Sequence, residues 1–135
     1  MRGTMTMNSI LIAEDNRVMA DVVRFNLVRA GYEVVVADDG LAALEIANTR
    51  TFDLVITDSQ MPRMKGEEFC AELRKLPSYQ DVPLIMCSAK GFELSAERLK
   101  EQYGIERVLL KPFSPREVLA VVGERLNGTA VVNGL

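Results

Sequence analysis

Short apolar runs alternate with amphipathic stretches five times along this chain. Ser9-Ile10-Leu11-Ile12-Ala13 is a continuous apolar run, the pattern of a strand buried on both faces. From Asn16 to Ala30, the residues Met19, Val22, Val23, Leu27 and Ala30 recur at helical spacing, with Asn16 placed to cap the helix and Gly31 to end it. Tyr32 to Ala37 predicts a second strand, and Asp39-Gly40 a turn into a helix in which Leu44 and Ala47 share a face. Phe52 to Thr57 reads as the third strand. A loop with Pro62 and Gly66 then leads to a helix from Glu67 to Leu76, which Pro77 stops. Val82 to Cys87 predicts strand four, Phe92 to Tyr103 a helix ended by Gly104, and Arg107 to Leu110 a short fifth strand. Ser114-Pro115-Arg116-Glu117 supplies a cap serine, a proline at the first helical position and a capping-box glutamate for a last helix running to about Leu126.

Five βα units of this length predict an α/β fold: a doubly wound, five-stranded parallel sheet of order 2-1-3-4-5 with helices on both faces, of the flavodoxin-like kind. The 135 residues fit one domain, drawn here as 8–127, with 1–7 and 128–135 as flexible tails. Composition then removes whole classes of function. A net charge of −3 with scattered Lys and Arg argues against direct nucleic-acid binding. No apolar stretch approaches the roughly 20 residues of a membrane span, and the polar start MRGTMTMNS lacks the apolar middle of a signal peptide, so a cytoplasmic protein is expected. Cys70 and Cys87 form no CxxC-like pair and read as small buried hydrophobes. There is no histidine, which excludes Ser-His-Asp and Cys-His catalysis and every His-ligated metal.

Ligands of doubly wound sheets bind outside the carboxyl ends of the strands, so the residues after each strand carry the chemistry. Strand one ends in Glu14-Asp15, strand three in Asp58, strand four in Ser88-Ala89 and strand five in Lys111-Pro112. Strands one, three, four and five are successive neighbours in the 2-1-3-4-5 order, so these side chains converge on one edge. Three clustered carboxylates repel one another unless a cation offsets them. Mg2+, which prefers hard oxygen ligands in octahedral geometry, suits two carboxylates and a backbone carbonyl, and Lys111 adds a fixed positive charge. An aspartate so placed can act as the nucleophile of phosphoryl transfer, where catalysis is mostly positioning and charge stabilisation.

Glu14-Asp15, Asp58 followed by Met61-Pro62-Arg63-Met64-Lys65-Gly66-Glu67, Ser88-Ala89 and Lys111-Pro112-Phe113 stand in the order and at the strand ends of one family. From about Asn8 to Leu126 the chain resembles the receiver domains of bacterial two-component response regulators, a family of signalling switches rather than turnover enzymes. The resemblance implies that Asp58 is the phosphoacceptor. It implies that Asp15 binds Mg2+, that Glu14 does so directly or through water, and that the Gln60 carbonyl completes the protein ligands. Ser88 and Lys111 would hold the phosphoryl group and report its presence, and the Lys111–Pro112 bond would be cis. The implied donor is a phosphohistidine on a sensor histidine kinase or phosphotransfer protein, or a small acyl phosphate. The implied output surface, for an unidentified partner, is the face of helix four, strand five and helix five; dimerisation on phosphorylation is left open. Gln60 and Lys90 would line the path of the hydrolytic water.

The chain departs from the family at Val108, where a Tyr or Phe normally turns inward on activation. A valine has no ring to swing, which keeps alive an alternative: a receiver fold used as a constitutive interaction module. A haloacid-dehalogenase-type phosphatase is disfavoured, because its general-acid aspartate would stand where Gln60 is and its cap domain has no room. A flavin-binding module is disfavoured by the acidic loop Glu14-Asp15-Asn16, which would repel a flavin phosphate.

Overall fold

Side chains on a strand point alternately to opposite faces, and this period of two divides the core of the protein in half. The computed structural model describes residues 7–89 and 95–126. Strands β1 (Ser9–Ala13), β2 (Glu33–Ala37), β3 (Leu54–Asp58), β4 (Leu84–Ala89) and β5 (Ile105–Lys111) form one parallel sheet in the order β2-β1-β3-β4-β5, as expected. Helices α1 (Arg17–Arg29), α2 (Gly40–Ala47), α3 (Gly66–Arg74), α4 (Ala96–Tyr103) and α5 (Pro115–Leu126) connect or follow them, with a short 3-10 turn at Pro77–Tyr79. Ile10, Ile12, Leu54, Ile56, Ile85 and Cys87 pack under α1 and α5, against Val23, Leu27, Val118 and Val122. Leu11, Val55, Leu84 and Met86, their neighbours in the strands, pack instead under α2, α3 and α4, against Ala43, Phe69, Leu73 and Leu99.

Local signals set the helix starts. The Asn16 side chain accepts from Met19 N–H at 3.0 Å, and Ser114 and Glu117 exchange the two bonds of a capping box at 3.0 and 3.2 Å. Gly104 ends α4 in the left-handed conformation, with φ of 68°. The Lys111–Pro112 bond is cis.

Strands β3 and β4 begin two residues later than read, at Leu54 and Leu84, and three further expectations change. In α1 the buried residues are Ala20, Val23 and Leu27, while Val22 and Ala30 are exposed, so the buried stripe is narrower than helical spacing suggested. In α2, Ala43 and Ala47 form the buried face and Leu44 is half-buried beside it. Strand β5 begins at Ile105, two residues early, because the register shifts between Leu84↔Ile105 and Ile85↔Arg107. The extra residue, Glu106, lets Ile105 and Val108 reach the same side of the sheet across an odd spacing, which hides the strand from a period-two reading. Both proposed tails fall, apart from Met7, outside the described residues, as do Phe92 and Lys90.

Candidate functional site

Because β1 and β3 are neighbours and β5 follows β4, their carboxyl ends bring Glu14, Asp15, Asp58 and Lys111 to one edge. Glu14 continues the ladder past β1, its N–H bonding the Ala37 carbonyl at 3.0 Å. One carboxylate oxygen from each of Glu14, Asp15 and Asp58 lies within 4.8 Å of the others. Glu14 and Asp58 are buried and Asp15 is exposed, so the cluster is walled on one side and open to water on the other. The Lys111 ammonium spans the buried pair, 3.0 Å from Glu14 Oε1 and 3.0 Å from Asp58 Oδ1. Asn16 N–H bonds the second Glu14 oxygen at 3.1 Å.

Burial pushes the Asp58 carboxyl above the usual aspartate range; Lys111 opposes this without cancelling it, and Asp15 adds to it. Burial likewise raises Glu14, with Asp58 contributing. Burial works against the Lys111 charge, but its bonds to Glu14 and Asp58 prevail and raise its pKa. Among the described residues Lys111 alone forms an ion pair with these carboxylates, one ammonium for two buried acids and a third beside them. All the clustered donors are hard oxygens, the donor set a magnesium ion takes.

The remaining sequence candidates are less closely joined to this cluster. Ser88 is fully buried at the end of β4, and its hydroxyl makes a long bond, 3.4 Å, to the Ala89 carbonyl. Gln60 is exposed on the loop after Asp58. Val108 is half-buried and packs on the core under α4. The cysteines are buried and free, with burial raising both thiols to about 12.

Sequence reading placed Gly66 and Glu67 in the motif after Asp58 but assigned no bracing role to them or to Arg74. The loop from Ser59 to Lys65 is closed at its base by Gly66 N–H on the Ser59 carbonyl, 3.1 Å. A Cβ on Gly66 would stand 2.1 Å from the Asp58 carbonyl oxygen, so the α3 start lies directly on the backbone of Asp58. Next to it, Glu67 grips α4: Arg98 donates to its two oxygens at 2.7 and 3.2 Å, and the Tyr103 hydroxyl at 3.4 Å. At the other end of α3, the half-buried Arg74 donates to the carbonyls of Tyr79, Val82, Tyr103 and Gly104. Glu67 meets partners 31 and 36 positions away, and Arg74 ties the nearby Tyr79 and Val82 carbonyls to the distant Tyr103 and Gly104, so the sequence marks neither role.

Comparison with known proteins agrees with this geometry. Residues 10–123 match the response regulator receiver domain family. The alkaline phosphatase synthesis transcriptional regulatory protein PhoP of Bacillus subtilis is 37% identical over 113 residues, which are 84% of this chain and 46% of that protein. The chain thus spans about half the length of the curated relatives it matches. Among solved structures, the chemotaxis protein CheY4 of Vibrio cholerae superposes with a TM-score of 0.82 at 31% identity, covering 90% of this chain and 100% of that one. The receiver domain of the sensor histidine kinase PA1611 of Pseudomonas aeruginosa, which holds a magnesium ion in its active-site cleft, superposes with a TM-score of 0.78 at 28% identity, covering 90% and 99%. With this fold, this strand-end cluster and a family match across most of its length, the chain belongs to the response regulator receiver domains of two-component signalling.

Proposed function

We propose that Asp58 is the phosphoacceptor of this signalling switch. The observation that carries the reading is the contact of Asp58 Oδ1 with Lys111 inside a cluster of three carboxylates. An Asp58 oxygen attacks the phosphorus of the donor, the bond from phosphorus to the leaving group breaks, and the leaving group departs with that electron pair. Lys111 offsets part of the cost that burial puts on the charged, nucleophilic form of Asp58 and then faces the charge gathering on the phosphoryl oxygens. Ser88, once rotated from its bond to Ala89, offers a hydroxyl to another of those oxygens. Glu14, Asp15 and Asp58, with the Gln60 carbonyl, would hold Mg2+, and when bound the ion neutralises charge on the transferring group. Gln60 and Lys90, each two residues after a site residue in the sequence, set how long the acyl phosphate survives hydrolysis.

The donor is a phosphohistidine on a sensor histidine kinase or phosphotransfer protein, or a small acyl phosphate, in the cytoplasm. The output is a change at the face formed by α4, β5 and α5, read by a protein partner or a second copy of the chain. Within the described residues no helix is long and apolar enough to cross a membrane. Val108 favours a second reading, a constitutive interaction module, because it offers no ring to carry the signal to that face.

Incubation with acetyl phosphate, with and without Mg2+, followed by intact mass of wild type and Asp58→Ala, separates the two. A single phosphoryl adduct that needs both Mg2+ and Asp58 is expected. A folded wild type that acquires no adduct sinks the phosphoacceptor reading and leaves the constitutive module.

A further inference from the structure

Arg63 adopts φ of 67°, the only described non-glycine residue with a positive value. That conformation is unfavourable for an arginine, so something outside the backbone must hold it. Its guanidinium forks onto Asp39, with Nε 2.8 Å from Oδ2 and Nη2 3.1 Å from Oδ1. The same Asp39 caps α2 through Ala42 N–H at 2.8 Å, so the loop after β3 is tied to a helix start. Beside this pair the two backbones touch: a Cβ on Gly40 would stand 2.3 Å from the Met64 carbonyl oxygen. Met61 is buried, Pro62 stiffens the turn, and Gly66 N–H closes the base of the loop. Gln60 follows Ser59 at the base of this loop, beside the buried Met61 and three positions before Arg63 at the tied tip, so its carbonyl sits between two anchored points.

We propose that Asp39 and Arg63 are positioning residues that make the cation site select magnesium over calcium. The inference rests on the metal ligands given above for the proposed function. Mg2+ demands near-ideal octahedral geometry with short ligand distances, whereas Ca2+ accepts more ligands, longer distances and a flexible cage. A Gln60 carbonyl held at one place serves the smaller ion. A carbonyl free to drift outward costs Mg2+ more than it costs Ca2+.

Two substitutions isolate this role because their charge effects are opposite. Arg63→Gly removes a positive charge and leaves a residue that accepts the backbone conformation. Asp39→Asn removes a negative charge and keeps a good helix cap. Electrostatics alone would raise the affinity for both divalent ions in the first variant and lower it for both in the second, leaving the Mg2+ to Ca2+ ratio unchanged. Loss of positioning lowers that ratio in both.

The test is calorimetric titration of the whole chain with Mg2+ and with Ca2+ at constant ionic strength, with folding checked by circular dichroism. The expected result is a Mg2+ to Ca2+ affinity ratio reduced roughly tenfold, and no less than about threefold, in both variants, the scale of effect seen when groups supporting metal ligands are removed. A smaller change in either folded variant overturns the proposal. Should Asp39→Asn fail to fold, Asp39→Ser, which also caps, takes its place. A wild type that binds no Mg2+ at millimolar concentration overturns the metal reading itself, and the positioning role with it.

Discussion

The Lys111 ammonium lies 3.0 Å from Asp58 Oδ1, yet the Asp58 carboxyl remains harder to ionise than a free aspartate because burial outweighs the lysine. Folding therefore favours protonated Asp58. Its contribution to stability is present below the unfolded pKa and is lost as pH rises through the raised folded value. Asp58→Asn is expected to be more stable than wild type at pH 7 in EDTA, with the advantage shrinking as the pH falls toward about 4. Urea midpoints at the two pH values check this. A variant less stable at pH 7 would mean that the lysine contact outweighs the cost of burial.

Removing the cation instead should expose the opposite imbalance. Lys111→Met leaves Glu14 and Asp58 buried beside each other without their shared donor. A loss of about 3–5 kcal/mol is expected in EDTA, the range for breaking a buried pair by removing one partner. Millimolar Mg2+ should restore part of it, as a shift in the thermal midpoint larger than wild type shows.

Gly66→Ala sets two effects against each other. Alanine favours the helix by up to about 1 kcal/mol over glycine. Its Cβ would meet the Asp58 carbonyl oxygen and carbon and the Ser59 Cα, all backbone atoms that cannot rotate away. The clash is expected to prevail, with a net loss of about 1–3 kcal/mol in chemical denaturation, and labelling at Asp58 should slow as its backbone shifts.

Glu67 carries a pH dependence of the opposite sign to Asp58. The Arg98 hydrogen bonds hold its carboxyl below the usual range. Its stabilisation is present above the unfolded pKa and is lost as pH falls through the lowered folded value. The pair is partly exposed, so Glu67→Gln should cost under about 1 kcal/mol at pH 7. The difference from wild type should close as acid protonates Glu67. A gap that persists unchanged in acid would assign the effect to packing.

Arg74→Met is expected to destabilise by at least about 2 kcal/mol, because methionine fills the space but leaves four carbonyls without their donor. Hydrogen exchange should show the loss concentrated where α4 ends, at Tyr103 to Ile105. A urea midpoint within error of wild type would refute this.

What the sequence by itself determined is local. Apolar period, the Asn16 and Ser114 caps and the turn at Gly104 all follow from residues within about four positions of one another. They dictate the alternation of strands and helices and, through it, which residues end each strand. Glu14, Asp15, Asp58 and Lys111 were legible for that reason, although Lys111 and Glu14 meet across 97 positions. The tertiary structure alone decided which helix faces are covered, leaving Val22 exposed and Ala20 buried. It also decided where β5 begins, since the Glu106 bulge breaks the alternation. The Asp39–Arg63, Glu67–Arg98 and Arg74 contacts belong here too. Each joins segments whose closeness depends on how the helices pack on the sheet, and charged surface residues carry no local mark of the partner they will meet.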